Sequence, residues 1–160
     1  MIVLGAVAPV VSSPYPLQLP LSTNIVLNEN GTALRILSDK YLYSINYIVA
    51  ENKFENIDID FSVITGVSNR DSEYSVSMIS RNYICEKVDG SIVSPSVELN
   101  IDDVIFDTGS TIKFSGFLEK KDEDEFQTNH VMGVVFYNQA QDYMPQHCFG
   151  HVAMQVSLII

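Results

Sequence analysis

Two groups of residues in this chain have the types and spacing to do chemistry. The first is Asp107-Thr108-Gly109-Ser110, set between the apolar runs Val104 to Phe106 and Thr111 to Leu118. A carboxylate presented on a glycine-containing turn can share a proton with a second carboxylate and activate water. The second is His147, Cys148 and His151, which Cys85 or His130 can join from elsewhere in the chain. Imidazole and thiolate suit zinc. However, His147-Cys148 followed by His151 matches no specific ligand spacing, and His151 falls on the polar phase of the final strand. A surface histidine beside a packed cysteine is therefore expected, with no metal site and no cofactor. Asp102, Asp103 and Asp107, or Asp122 to Glu125, lack the glycine and spacing of a calcium loop. No phosphate-cradling loop, dinucleotide fingerprint or serine-nucleophile elbow is present.

The stretch Val104-Ile105-Phe106-Asp107-Thr108-Gly109-Ser110-Thr111 resembles the active-site signature of pepsin-like and retroviral aspartic proteases. The resemblance implies Asp107 as catalytic carboxylate and Gly109 as the residue that permits the tight turn beneath it. Val131-Met132-Gly133 is similar to the hydrophobic-hydrophobic-glycine element that supports this loop in that family. A single motif implies a homodimer. Yet only 21 residues separate Gly109 from Val131, part of them the charged run Glu119 to Glu125, and 106 residues precede the motif. The same four residues are also ordinary turn chemistry between two strands. The expectation is a turn, with no catalytic residue and no enzyme; Asp107 is the candidate should that be wrong.

The elements that must position these residues read as strands. Ile57, Ile59, Phe61, Val63 and Val67 alternate with Asp58, Asp60 and Ser62, the period of two of a half-buried strand. Tyr41, Tyr43, Ile45, Tyr47 and Val49 share one phase. So do Tyr74, Val76 and Met78, until the phase slips and predicts a bulge near Ser80 to Asn82. Val131 to Tyr137 is apolar throughout, as in a strand buried on both faces. Asn30-Gly31 and Asp89-Gly90 mark turns. The chain closes with Val152, Met154, Val156, Leu158 and Ile160 in alternation, a strand regular enough to require a pairing partner. With 160 residues, 46% apolar, eight Tyr, eight Phe and no amphipathic helix, the chain can build one core. About nine strands at roughly ten-residue spacing predict an all-β, antiparallel two-sheet sandwich, jelly-roll or Ig-like. Cys85 and Cys148 are too few for a disulfide framework and are expected as two half-buried thiols, although a single bridge is open.

The remaining feature is the N-terminal stretch. Residues 1–28 contain no Asp, Glu, Lys, Arg or His and hold Pro9, Pro14, Pro16 and Pro20, four of the six prolines. Proline lacks an N–H donor, so Ser12 to Pro20 is expected to stay out of any central ladder and to act as a stiff strap. The organisation is an extended arm over residues 1–23 and a sandwich over 24–160. Exposed apolar surface is costly at about 25 cal/mol per Å², so Ile2, Val3, Leu4, Val7, Val10, Tyr15, Leu17, Leu19 and Leu21 are expected to make intersubunit contacts. The stretch has no basic n-region and no run of about 20 apolar residues, which argues against a signal peptide and a membrane span.

Nine basic against 20 acidic residues, a formal net charge of −11, disfavour nucleic acid and anionic membranes as partners. The expected function is a structural subunit of an ordered assembly, a virion or phage-particle shell, decoration or tail component. Its partners would be copies of itself and other subunits. It would be made in the cytoplasm and end in a virion or other extracellular assembly. The alternatives are a pilus-type subunit assembled by strand donation and a lectin-like module for a glycan or host protein. The strand Gly150 to Ile160 resembles the closing strand of chaperone-assembled pilins, though no motif specifies that family.

Overall fold

The computed structural model describes residues 17–24, 34–40, 42–66, 69–139 and 145–159. The described residues form strands and turns, with a 3-10 turn at Val49–Glu51. In chain order the strands are β1 Leu17–Asn24, β2 Arg35–Ser38, β3 Leu42–Ile45, β4 Tyr47–Ile48, β5 Lys53–Phe54, β6 Ile57–Gly66 and β7 Glu73–Lys87. There follow β8 Ile92–Val93, β9 Val97–Ile101, β10 Val104–Ile105, β11 Thr111–Ser115, β12 Glu119–Lys120, β13 Glu125–Phe136 and β14 Pro145–Leu158. Sheet A runs β11-β7-β14-β1-β3 with β8 added to β7, and sheet C runs β10-β9-β13-β6-β2 with β12 added to β13. The expected two-sheet sandwich is what the chain builds, and its pairings are antiparallel except for β1 with β14.

Alternation fills the space between the sheets. Ile59, Phe61 and Val63 of β6, Met132, Val134 and Phe136 of β13, and Leu99 and Ile101 of β9 are buried from one side. Tyr74, Val76 and Met78 of β7 and Val152, Met154 and Val156 of β14 meet them from the other. Tyr47, Phe54 and Phe136 close one region of this core as an aromatic cluster, with centroids 5.1 and 5.3 Å apart. At about 25 cal/mol per Å² of apolar surface removed from water, this burial is the dominant favourable contribution to folding.

Several expectations need correction. The 41–50 strand is broken at Asn46, and its last turn is 3-10, closed by Asn52 at φ 51°. Val49 is therefore exposed, because β4 turns away to pair with β5. β13 is not buried on both faces: Val131 and Tyr137 point to solvent, since nothing covers sheet C from outside among the described residues. The charged run is the tip of a hairpin, β12 pairing back on β13 through Glu119–Gln127 and Lys120–Phe126. The bulge in β7 is present one residue early. Ala153 faces Ser80 and Met154 faces Met78, which leaves Ile79 as the extra residue. Asp89-Gly90 is a turn as expected, Gly90 taking φ 79° and Asp89 accepting from the Ser91 amide. The Asn30-Gly31 turn lies outside the described residues.

Candidate functional site

The N-terminal strand provides the first candidate. β1 lies inside sheet A, with β14 on one side and β3 on the other. Toward β14 it is parallel, Leu17 opposite Cys148 and Leu21 opposite Val152. Toward β3 it is antiparallel, from Leu17 with Ile45 to Pro20 with Leu42. Among the described residues β3 has no other partner, so β1 alone joins it to the sheet. The expectation that Ser12 to Pro20 stays out of a central ladder fails over residues 17–20. The reason is local: the parallel ladder skips Leu19 and Pro20, where proline offers no donor, and resumes at Leu21. One missing hydrogen bond interrupts a ladder without expelling the strand. Leu17, Leu19 and Leu21 take alternate positions on β1, and the register partners Ile45, Cys148 and Val152 are core residues. Ile2, Val3, Leu4, Val7, Val10 and Tyr15 lie outside the described residues.

The cysteines sit beside this slot. Cys85 of β7 and Cys148 of β14 are directly opposite in register with Cα atoms 4.1 Å apart, and they form a disulfide rather than the two thiols expected. Sequence distance hid this, since 63 positions separate them and only strand pairing brings them together. The metal candidates do not gather. Cys85 and Cys148 are consumed in the bridge, His147 is exposed, and His151 faces Ser80 on the outer side of sheet A with Nε2 3.4 Å from its hydroxyl. His130 belongs to sheet C. No cluster of three or more metal-binding side chains occurs among the described residues.

The Asp107 motif is turn chemistry in atomic detail. The Thr108 amide donates to Asp107 Oδ1 at 2.6 Å, the Asp107 amide to Ser110 Oγ at 3.1 Å, and the Ser110 amide to the Asp107 carbonyl at 2.8 Å. Gly109 takes φ 82°, a left-handed conformation open to glycine at no steric cost. The carboxylate is exposed and pairs with Arg81 Nη2 at 2.9 Å. Val131-Met132-Gly133 lies in sheet C, in register with Asp60, Ile59 and Asp58, and Gly133 also faces Asn100. It does not underlie the Asp107 turn.

One polar constellation was missed. His130 Nδ1 lies 2.6 Å from Asp102 Oδ2, and its Nε2 lies 2.6 Å from the Tyr74 hydroxyl. Asp102 Oδ1 also accepts from the Val131 amide at 3.0 Å. The imidazole is buried among Phe61, Phe114 and Tyr74. Burial is the main cause that raises the Tyr74 phenol from 10.0 to about 12, the charge of Asp102 adding and a bond with Thr128 opposing. Asp102 and Asp103 form the two-residue turn between β9 and β10 with φ 49° and 66°, both left-handed. A buried phenol and a buried imidazole present no reacting atom to solvent. What the chain of bonds does is tie β7 of sheet A to β13 and the β9–β10 turn of sheet C. The available signal was phase: His130 shares the inward positions of Met132, Val134 and Phe136, and a buried histidine requires partners.

No protein-family model and no curated protein matches this sequence. Among solved structures the chain is similar to the CooA pilin subunit from enterotoxigenic Escherichia coli, with 14% identity and a TM-score of 0.45. The likeness covers 76% of this chain and 96% of that one. At that level the likeness carries no functional weight.

Proposed function

We propose that this chain is a structural subunit of an ordered extracellular assembly, and that its N-terminal segment is the element exchanged between copies. The observation that supports this most directly is the position of β1, bonded to β14 and β3 on either side. Removing one strand from that slot leaves two unpaired sheet edges, a template for a strand from another chain. The Cys85–Cys148 bridge favours assembly in an oxidising compartment, because disulfides seldom persist in a reducing cytosol. That favours strand donation in a surface fibre over a virion or phage particle built in the cytoplasm. In the same reading the chain is not an enzyme, and Asp107 serves its turn and its pair with Arg81.

The test compares the full chain with a variant lacking residues 1–24, by light scattering and sedimentation over a wide concentration range. The expected result is oligomers of the full chain, loss of those oligomers in the truncated chain, and uptake of a synthetic peptide of residues 14–24 by the truncated chain. Identical oligomers from both proteins would overturn the reading. So would a full chain that stays monomeric while the truncated chain ignores the peptide.

A further inference from the structure

The two outer faces of the sandwich differ in chemistry. On sheet A the outward positions through the middle of β11, β7 and β14 are Thr111, Lys113, Ser77, Ser75, Gln155 and Ser157, with Glu73 and Glu86 only toward the two ends of β7. On sheet C the outward positions of β6 are Asp58 and Asp60, the β9–β10 turn adds Asp102 and Asp103, and Asp39 follows β2. Among the described residues no cation lies within ion-pair distance of Asp39, Asp58, Asp60 or Asp103. Asp39, Asp58, Asp60 and Asp103 thus share one side of the sandwich without counter-charge among the described residues, while Asp102 is held by His130 and Arg35 is taken by Glu125.

That face is also shaped and partly apolar. A groove of about 390 Å³ crosses β2, β6 and β13, lined by Leu37, Asp39, Asp60, Ser62, Asn129 and Val131 among others. Leu37 and Val131 are each 40% exposed. Ser62 Oγ donates to Asn129 Oδ1 at 2.7 Å. A second hollow on the far side of Val131 is bordered by Asp58, Asn100, Asp102 and Asp103. Gly133 lies between Asp58 and Asn100 in the register, and the Asn100 side chain fills the space above it, its Oδ1 2.7 Å from where a Cβ would stand.

Carboxylates fixed on a rigid sheet without counter-ions build a local negative potential. Aliphatic side chains held among them stay wet, at about 25 cal/mol per Å². One kind of partner relieves both at once. A second copy supplies no matching segment, because of its nine basic residues only Lys120 and Lys121 lie within two positions of each other, and Glu119 and Asp122 to Glu125 enclose them. We infer that the outer face of sheet C docks a basic, aliphatic-containing segment of a different protein, with lysine or arginine over Asp58 and Asp60 and an aliphatic residue against Leu37 and Val131. This surface is on the sheet that does not contain β1, so it is independent of strand exchange.

The experiment titrates the isotope-labelled full chain with the probe peptide acetyl-KLKVK-amide, reading amide shifts by NMR, with acetyl-ELEVE-amide as the opposite-charge control. Three variants accompany it: Asp58→Asn with Asp60→Asn on the face, Asp122→Asn with Asp124→Asn on the hairpin tip, and Leu37→Ser. Shifts are expected at Leu37, Ser62, Asn129 and Val131. The face variant should weaken binding about fivefold and the tip variant less than about twofold, as exposed charge pairs allow. Leu37→Ser should weaken what binding persists when salt is raised to about 0.2 M, where screening leaves the apolar contact dominant. Equal losses from face and tip variants, shifts spread over all acidic residues, or equal binding of the acidic peptide would each overturn the inference.

Discussion

Replacing Tyr74 by Phe isolates the hydrogen-bond chain that joins the two sheets. The ring is retained, with its stacking on Phe117 at 4.6 Å and on Phe114 at 5.4 Å, and only the hydroxyl is removed. At neutral pH this leaves His130 Nε2 buried without its partner, a cost of about 1–3 kcal/mol. The pH dependence then reads the burial of the hydroxyl, which the Phe variant lacks. The Tyr74 phenol titrates at about 12 in the folded chain against 10.0 ordinarily. A group whose value is raised on folding contributes stability that is complete below the unfolded value and is lost as pH rises through the folded one. The difference corresponds to about 3 kcal/mol, lost from the native chain between pH 10 and about 12. The Phe variant has no such loss. Tyr83, whose buried hydroxyl has no hydrogen-bond partner among the described residues, shifts in the same direction by burial, but it is common to both proteins and cancels in their difference. Urea denaturation at a series of pH values from 7 upward should therefore show the native chain more stable at pH 7 and the gap closing above pH 10. A Phe variant equal in stability at pH 7 would refute the bond to His130, and a gap constant to pH 12 would refute the burial of the hydroxyl.

Two further outcomes follow from the same structure. Reducing Cys85–Cys148, or replacing both residues by Ser, should lower stability by about 2–4 kcal/mol, because 63 positions of chain are freed in the unfolded state; denaturation with and without reductant reads this, and a change below about 0.5 kcal/mol would show that the bridge does not constrain the fold. Asp103→Gly should stabilise the chain by about 0.5–1 kcal/mol, since Asp103 sits at φ 66° and Asp-Gly is the favoured pair for this left-handed hairpin turn; a lower melting temperature would contradict the turn geometry.

Strand alternation was legible because it depends on period alone. Ile59, Phe61 and Val63 had to share a face whatever they packed against, and the slip after Met78 had to produce a bulge because the phases before and after it conflict. The Asp107 turn was legible for a similar reason, since aspartate, glycine and serine satisfy their own backbone within four residues. Local chemistry of that kind needs no distant partner.

What pairs with what did not follow from local chemistry. Cys85 meets Cys148, and Tyr74 meets His130, across 63 and 56 positions, distances that only sheet order and register can close. Pro20 looked like a barrier to a central ladder, yet tertiary pairing with β3 and the rest of β14 outweighs one absent donor. The charge of −11 was readable from composition, but the gathering of Asp58, Asp60, Asp102 and Asp103 depends on which alternate positions of β6 and which turn of β9–β10 the fold brings side by side. Sequence by itself determined a β-sandwich with an uncharged N-terminal segment, through periodicity and composition. Tertiary structure decided where that segment sits, which residues are joined and where the charge is exposed, because those depend on contacts between residues far apart in the chain.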